Sequence, residues 1–223
     1  SVAPAARWHG WRIPCQKPNV WITPTWHPSY LLRSRDDQAL RLFFIKHLRN
    51  AVALKGKPYK KLPQEPKVHL LFDEMEAVLW IDTFADSTKP VAWDLECNAL
   101  KPETEGSAII CCSLSDGERA ISFPWVGTAI DAMMDFLKSD TEKIVANGKY
   151  DTRWILRKHK VRPRNTIWDT VVNAHILDNR SGVTGLKFQS FVLLGSMSYD
   201  DEIKPFLKAD KNRLNRIKEL NLS

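Results

Sequence analysis

The four cysteines of this 223-residue chain, Cys15, Cys97, Cys111 and Cys112, include no C-x-x-C pair, and two stand side by side in an apolar run. Neither a disulfide frame nor a zinc site is expected, and the thiols read as reduced, in a cytosolic protein. No apolar stretch is long enough to span a membrane, and no signal peptide is visible. No G-x-G-x-x-G follows a strand and there is no P-loop, which removes two nucleotide-binding folds. No segment repeats. The first residue is Ser rather than Met, so a processed, trimmed or partial chain is expected.

What is present is an apolar fraction of 43%, enough for a core, with 26% charged residues and a net charge of +7. That length suits one sizeable domain, or one domain and a piece of another. The cationic surplus favours an anionic partner, nucleic acid first, without requiring one.

Along the chain, residues 1–19 are rich in Pro, Trp and Arg and show no period. "VWITPTWHPSYLLR" (20–33) starts as a short strand, and its two prolines make "TPTWHPS" a loop. Ser34 suits an N-cap, and Leu40, Phe43, Phe44, Leu48, Ala51 and Val52 then predict a helix over 35–54. "KGKPYKKLPQEPK" (55–67) reads as a linker. Beyond it come a helix (72–85), a strand (90–96), two strands joined by a turn at Asp116-Gly117, and a helix marked by Ile130, Met133, Met134 and Leu137. A short strand "KIVAN", a helix "KYDTRWILRKH", an extended "TIWD", a helix "TVVNAHILD" and a last helix closed by Gly195 complete the pattern. Three strands with short connections predict an antiparallel meander. The whole order suits a mixed α/β sheet flanked by helices.

"VAWDLECNAL" carries the most chemistry. Asp94 and Glu96 are one residue apart on a strand, so both carboxylates project from one face. Two like charges that close repel unless a proton or cation lies between them. Hard divalent cations take such oxygen ligands, which points to a metal-dependent phosphodiester site. D-x-E is also a cheap pattern in a chain with 26 acids. In "ANGKYDTRWI", Asp151 falls in the first turn of a helix, where an acid also serves simply to complement the macrodipole. Lys149, Tyr150 and Arg153 beside it suit base stacking and phosphate contact, or an ordinary solvated face. Asp169 reads as a capping acid, and His175 as a satisfied core histidine.

D-x-E at a strand end, N-x-x-x-D after a later strand and W-D-T opening a helix occur in that order. Together they resemble the 3′–5′ proofreading exonuclease domain of family A DNA polymerases, a DEDD nuclease with a ribonuclease-H-like fold. The resemblance covers about 72–223. It implies that Asp94, Glu96 and Asp151 are catalytic metal ligands for two divalent cations, Mg²⁺ or Mn²⁺, which clamp the scissile phosphate. Leu100 would wedge near the terminal bases, and Asn147 and Tyr150 would help hold the single strand. The family's fourth acid belongs to a Y-x-x-x-D motif, but Ile203 stands four residues after Tyr199. That acid is expected beyond Ser223, with Asp200 or Asp201 as a less favoured substitute.

"TPTWHPSYLLR", preceded by "RWHGWRIP", resembles the second active-site motif of family 4 uracil-DNA glycosylases. There His27 would contact a flipped uracil; otherwise it packs on Trp26 and Tyr30 in a structural loop. The glycosylase's first motif is not found, so no uracil excision is expected. The implied organisation is a glycosylase-like remnant with a small α/β fold (1–60), a linker (61–67) and an exonuclease domain (68–223). A glycosylase-like tail before a proofreading domain resembles SPO1-like phage DNA polymerases. The expected partners are a single-stranded DNA 3′ end and a polymerase domain in the same or another chain, in the host-cell cytoplasm. The second hypothesis is a module that grips single-stranded DNA or a polymerase without cutting.

Overall fold

The strand β4 (Val91–Cys97) sets the architecture by alternation. Val91, Trp93, Leu95 and Cys97 are buried on one face, while Ala92, Asp94 and Glu96 lie on the other. This is the two-residue period of a sheet with one packed face. The structure, a computed structural model, describes residues 7–15, 19–59, 66–196, 201–209 and 212–220. By contacts the chain divides into two compact units, Ser1–Pro63 with Ala174–Ser198, and Gln64–Asn173 with Tyr199–Ser223.

The second unit holds a six-stranded mixed sheet in the order β3-β6-β5-β4-β7-β8. Its other strands are β3 (Lys67–Leu70), β5 (Ile109–Ser115), β6 (Arg119–Pro124), β7 (Lys143–Val145) and β8 (Thr166–Asp169). β4, β5 and β6 form the expected antiparallel meander, and β7 and β8 continue it in parallel. This bears out the ribonuclease-H-like α/β fold. The turn between β5 and β6 falls at Asp116-Gly117, with Gly117 at φ +86°, a conformation glycine adopts without a Cβ penalty. β3, parallel to β6, was not legible in the sequence. It is an edge strand that leaves Val68 and Leu70 exposed, so it shows no buried alternation.

Helices α3 (Glu74–Ala85), α4 (Gly127–Lys138) and α5 (Gly148–His159) supply the core with Ile81, Phe84, Met133, Phe136, Leu137, Trp154 and Ile155. Each of these side chains is fully buried and contributes about 1.5–3 kcal/mol by leaving water. Helix α6 (Thr170–Leu177) follows β8 directly, and the boundary between the units falls within it. His175 is exposed on α6, which corrects its reading as a core residue; Ala174 takes the buried position instead.

The first unit contains a two-stranded hairpin, β1 (Ile13–Cys15) with β2 (Val20–Ile22), and helices α1 (Pro28–Arg33), α2 (Gln38–Ala53) and α7 (Leu186–Leu194). α7 belongs here although it lies far along the chain. Where the sequence predicted a loop, His27 caps α1 by accepting the Ser29 N–H, and Pro28 fits the first helical turn because no donor is needed there. Ser34 ends α1 rather than opening α2; Asp37 opens α2 by accepting the Leu40 N–H at 2.8 Å. His27 itself is exposed, and Trp26 instead stacks on His47 and meets the His9 ring at a tilt. Cys97, Cys111 and Cys112 are free thiols. No described helix is long and apolar enough to cross a membrane. The expected linker lies mostly outside the described residues.

Candidate active site

Asp94 and Glu96 stand on the face of β4 opposite the buried Val91, Trp93, Leu95 and Cys97, and both are exposed. Their cross-strand partners on β5 are Ser113 and Cys111, so small polar groups share that face. Ser113 and Ser122 also bond hydroxyl to hydroxyl at 3.2 Å. After Glu96 the register shifts and the chain leaves the sheet.

The following loop is organised by Asn98, 1% exposed, whose amide donates to the Gly106 carbonyl at 3.1 Å and accepts the Ala108 N–H at 2.7 Å. Leu214 and Asn215 reach this loop from much later in the chain. Asn215 donates its backbone N–H to the Asn98 carbonyl and its side-chain amide to the Cys97 carbonyl, and Leu214 bridges Ala99. The sequence pattern points to neither asparagine, because a lone Asn in a polar run carries no local signal.

The third acid arrives from α5. β7 ends at Val145, and Asn147 turns the chain with φ +64°. Gly148 then opens the helix with no room for a side chain: a Cβ there would lie 2.4 Å from Val145 Cγ2. Asp169, at the end of β8, accepts the N–H groups of Asn147 and Gly148 as well as those of Val171 and Val172. Its reading as a capping acid agrees with these bonds.

Asp151 sits in the first turn of α5, 2% exposed, and its Oδ1 has no hydrogen-bond partner. Burial first, and then the nearby Asp94 and Glu96 charges, raise its pKa to about 7 against the opposing Leu95 amide. Asp94 reaches solvent, yet desolvation on the sheet face raises its carboxyl as well. The fold thus brings Asp94, Glu96 and Asp151 within electrostatic reach of one another. Their oxygens do not converge: among the described residues no group of three or more His, Cys, Asp or Glu side chains is set to hold a metal ion. The donor set still fits a hard divalent cation, because a buried, orphaned carboxylate oxygen beside two acids is what such a cation satisfies.

The residues named for nucleic acid lie around these acids in different states. Leu100 is 46% exposed in the loop after β4. Asn147, Lys149 and Arg153 are exposed, and Arg153 pairs with Glu103 at 2.7 Å. Tyr150 is half-buried and its hydroxyl donates to the Ala99 carbonyl at 3.0 Å, tying α5 to the loop. Tyr199 and Asp200 lie outside the described residues. Asp201 is exposed, 3.9 Å from Lys204.

Comparison with known proteins is in keeping with this geometry. The family model described as 3′–5′ exonuclease matches residues 69–204, well over half of the chain. No curated protein matches it. Among solved structures, the catalytic core of RRP6 from Trypanosoma brucei superposes with a TM-score of 0.52 at 14% identity, covering 70% of this chain and 41% of that one. RNase D of Escherichia coli, an exoribonuclease involved in structured RNA processing, gives a TM-score of 0.50 at 15% identity, covering 62% of this chain and 36% of that one. At such identities the likeness concerns the fold, and the chain spans about two fifths of the length of these structures. With a sheet of the expected topology and a family model matched across it, this chain belongs to the 3′–5′ exonuclease family.

Proposed function

We propose that the second unit removes nucleotides from the 3′ end of single-stranded DNA, with Asp94, Glu96 and Asp151 as the ligands of two divalent cations, Mg²⁺ or Mn²⁺. The observation that carries this is Asp151: a fully buried carboxyl with an orphaned oxygen, held near a neutral pKa beside two other acids. Bound cations would supply Lewis acidity at the scissile phosphate and a more acidic attacking water. The chain's own part is to hold the three carboxylates on rigid elements, a central strand and a helix start. Leu100 meets the terminal base, and Asn147, Lys149, Tyr150 and Arg153 line the strand's path.

The wider context is proofreading in a DNA polymerase of the SPO1-like phage type, working in the host-cell cytoplasm beside a polymerase domain in the same or another chain. What supports it is the glycosylase-like sequence of residues 1–60, with His27, ahead of a linker (61–67) and the exonuclease domain (68–223): both parts point to DNA. The second reading is a module that grips single-stranded nucleic acid without cutting, favoured by the lack of convergence of the three carboxylates.

The test uses 3′-labelled single-stranded DNA, and RNA of the same sequence, with Mg²⁺, Mn²⁺ or EDTA. Labelled mononucleotides released only with metal, and not by Asp94→Ala or Asp151→Ala, are expected. Binding without release supports the second reading. Faster cutting of RNA overturns the DNA assignment, and full activity in both variants overturns the site.

A further inference from the structure

Asp169 does more than open its own helix. Its Oδ1 accepts N–H groups from Asn147 at 3.0 Å, Val171 at 3.0 Å and Val172 at 3.3 Å, and its Oδ2 accepts that of Gly148 at 2.9 Å. Two of these donors start α6. The other two start α5, 22 and 21 residues earlier.

Parallel pairing of β7 with β8 sets Asp169 opposite Val145, which brings it to the β7–α5 turn. α5 needs such a partner, because its own N-cap residue, Asn147, makes no side-chain capping bond. The first amides of a helix have no partners within it, and they carry the positive end of its dipole. A carboxylate borrowed from the next strand satisfies both demands. The turn has little slack, since Gly148 packs directly on Val145. Three residues on is Asp151, whose buried carboxyl moves wherever the first turn of α5 moves.

We propose that Asp169 is a positioning residue of the nuclease site: it anchors the first turn of α5 and so sets the Asp151 carboxyl against β4. The proposal rests on Asp94, Glu96 and Asp151 being cation ligands. Asp169 itself touches neither cation nor substrate. Partners that orient ligands in this way typically change metal affinity by about 10–100-fold when removed.

The experiment compares the full chain with Asp169→Ala, Asp169→Asn and a control, Asp116→Ala. Asp116 is also a turn-capping acid, accepting the Glu118 and Arg119 N–H groups at 2.9 and 2.8 Å, but it serves the β5–β6 turn. Two quantities are read: amide hydrogen exchange along residues 147–151 by NMR, and Mn²⁺ affinity by electron paramagnetic resonance. In Asp169→Ala, exchange at Asn147 and Gly148 accelerates and Mn²⁺ affinity falls by about 10–100-fold. Asp169→Asn, which keeps one acceptor oxygen, falls between. Asp116→Ala loses thermal stability but keeps wild-type values of both. If Asp169→Ala does not fold, Asp169→Asn against the control carries the test. Wild-type Mn²⁺ affinity without the Asp169 carboxylate, or equal losses in the control, overturns the proposal. A wild-type chain that binds no Mn²⁺ refutes the ligand assignment instead. Exchange then decides the positioning role alone, and unchanged protection at Asn147 and Gly148 overturns it.

Discussion

Replacing Asp151 by Asn isolates the electrostatic cost of the three acids. The native carboxyl has a pKa of about 7, against an ordinary value of 3.8. The folded state therefore holds a proton that the unfolded chain releases. Stability from this group is fully present below about pH 4, is lost as pH rises towards 7, and is flat above it. The full difference corresponds to at most about 4 kcal/mol. An Asn amide in the same buried place leaves polar atoms unpaired, which costs about 1–3 kcal/mol. Asp151→Asn is therefore expected to stabilise the metal-free protein above pH 7, by about 1–3 kcal/mol, and to lose that advantage near pH 4.5. At about 2–4 °C per kcal/mol, thermal unfolding in EDTA at pH 8 shows a rise of about 5 °C. Adding Mn²⁺ stabilises the wild type and not the variant. A difference between the two proteins that is the same at pH 4.5 and pH 8 would refute the reasoning, because it would mean the carboxyl titrates normally.

Other outcomes follow from the packing around the acids. Asn98→Ala removes two buried hydrogen bonds and is expected to cost about 2–3 kcal/mol in urea unfolding. Limited proteolysis of the same variant cuts faster within residues 99–107; unchanged cutting would mean that the loop has another anchor. Gly148→Ala drives a methyl into Val145 and is expected to cost about 1–3 kcal/mol, part of it recovered by adding Val145→Ala. A loss below about 0.5 kcal/mol, the range of a neutral surface change, would show that the turn relaxes.

Much of the fold was legible because its signals are local. The alternation from Val91 to Cys97 is enough to put Asp94 and Glu96 on one face, since a strand has a two-residue period. Asp151 in a first helical turn, Asp169 as a cap and Gly195 as a helix stop, observed with φ +70°, depend on neighbours within a few residues. α1 escaped because Pro28 reads equally as a breaker and as a first-turn residue. β3 escaped because an edge strand need bury nothing.

What the sequence by itself determined is the kind of acid, its order along the chain and the strand or helix that carries it. Only the tertiary structure decided that the Asp151 carboxyl is buried with one oxygen unpaired and that Asp169 reaches back to the start of α5. The same holds for Asn98 and Asn215 pinning the end of β4, and for 174–198 packing in the first unit. Each of these joins segments distant in the chain. Desolvation, charge coupling and long-range hydrogen bonds depend on distance in space, and residue order does not encode that distance locally.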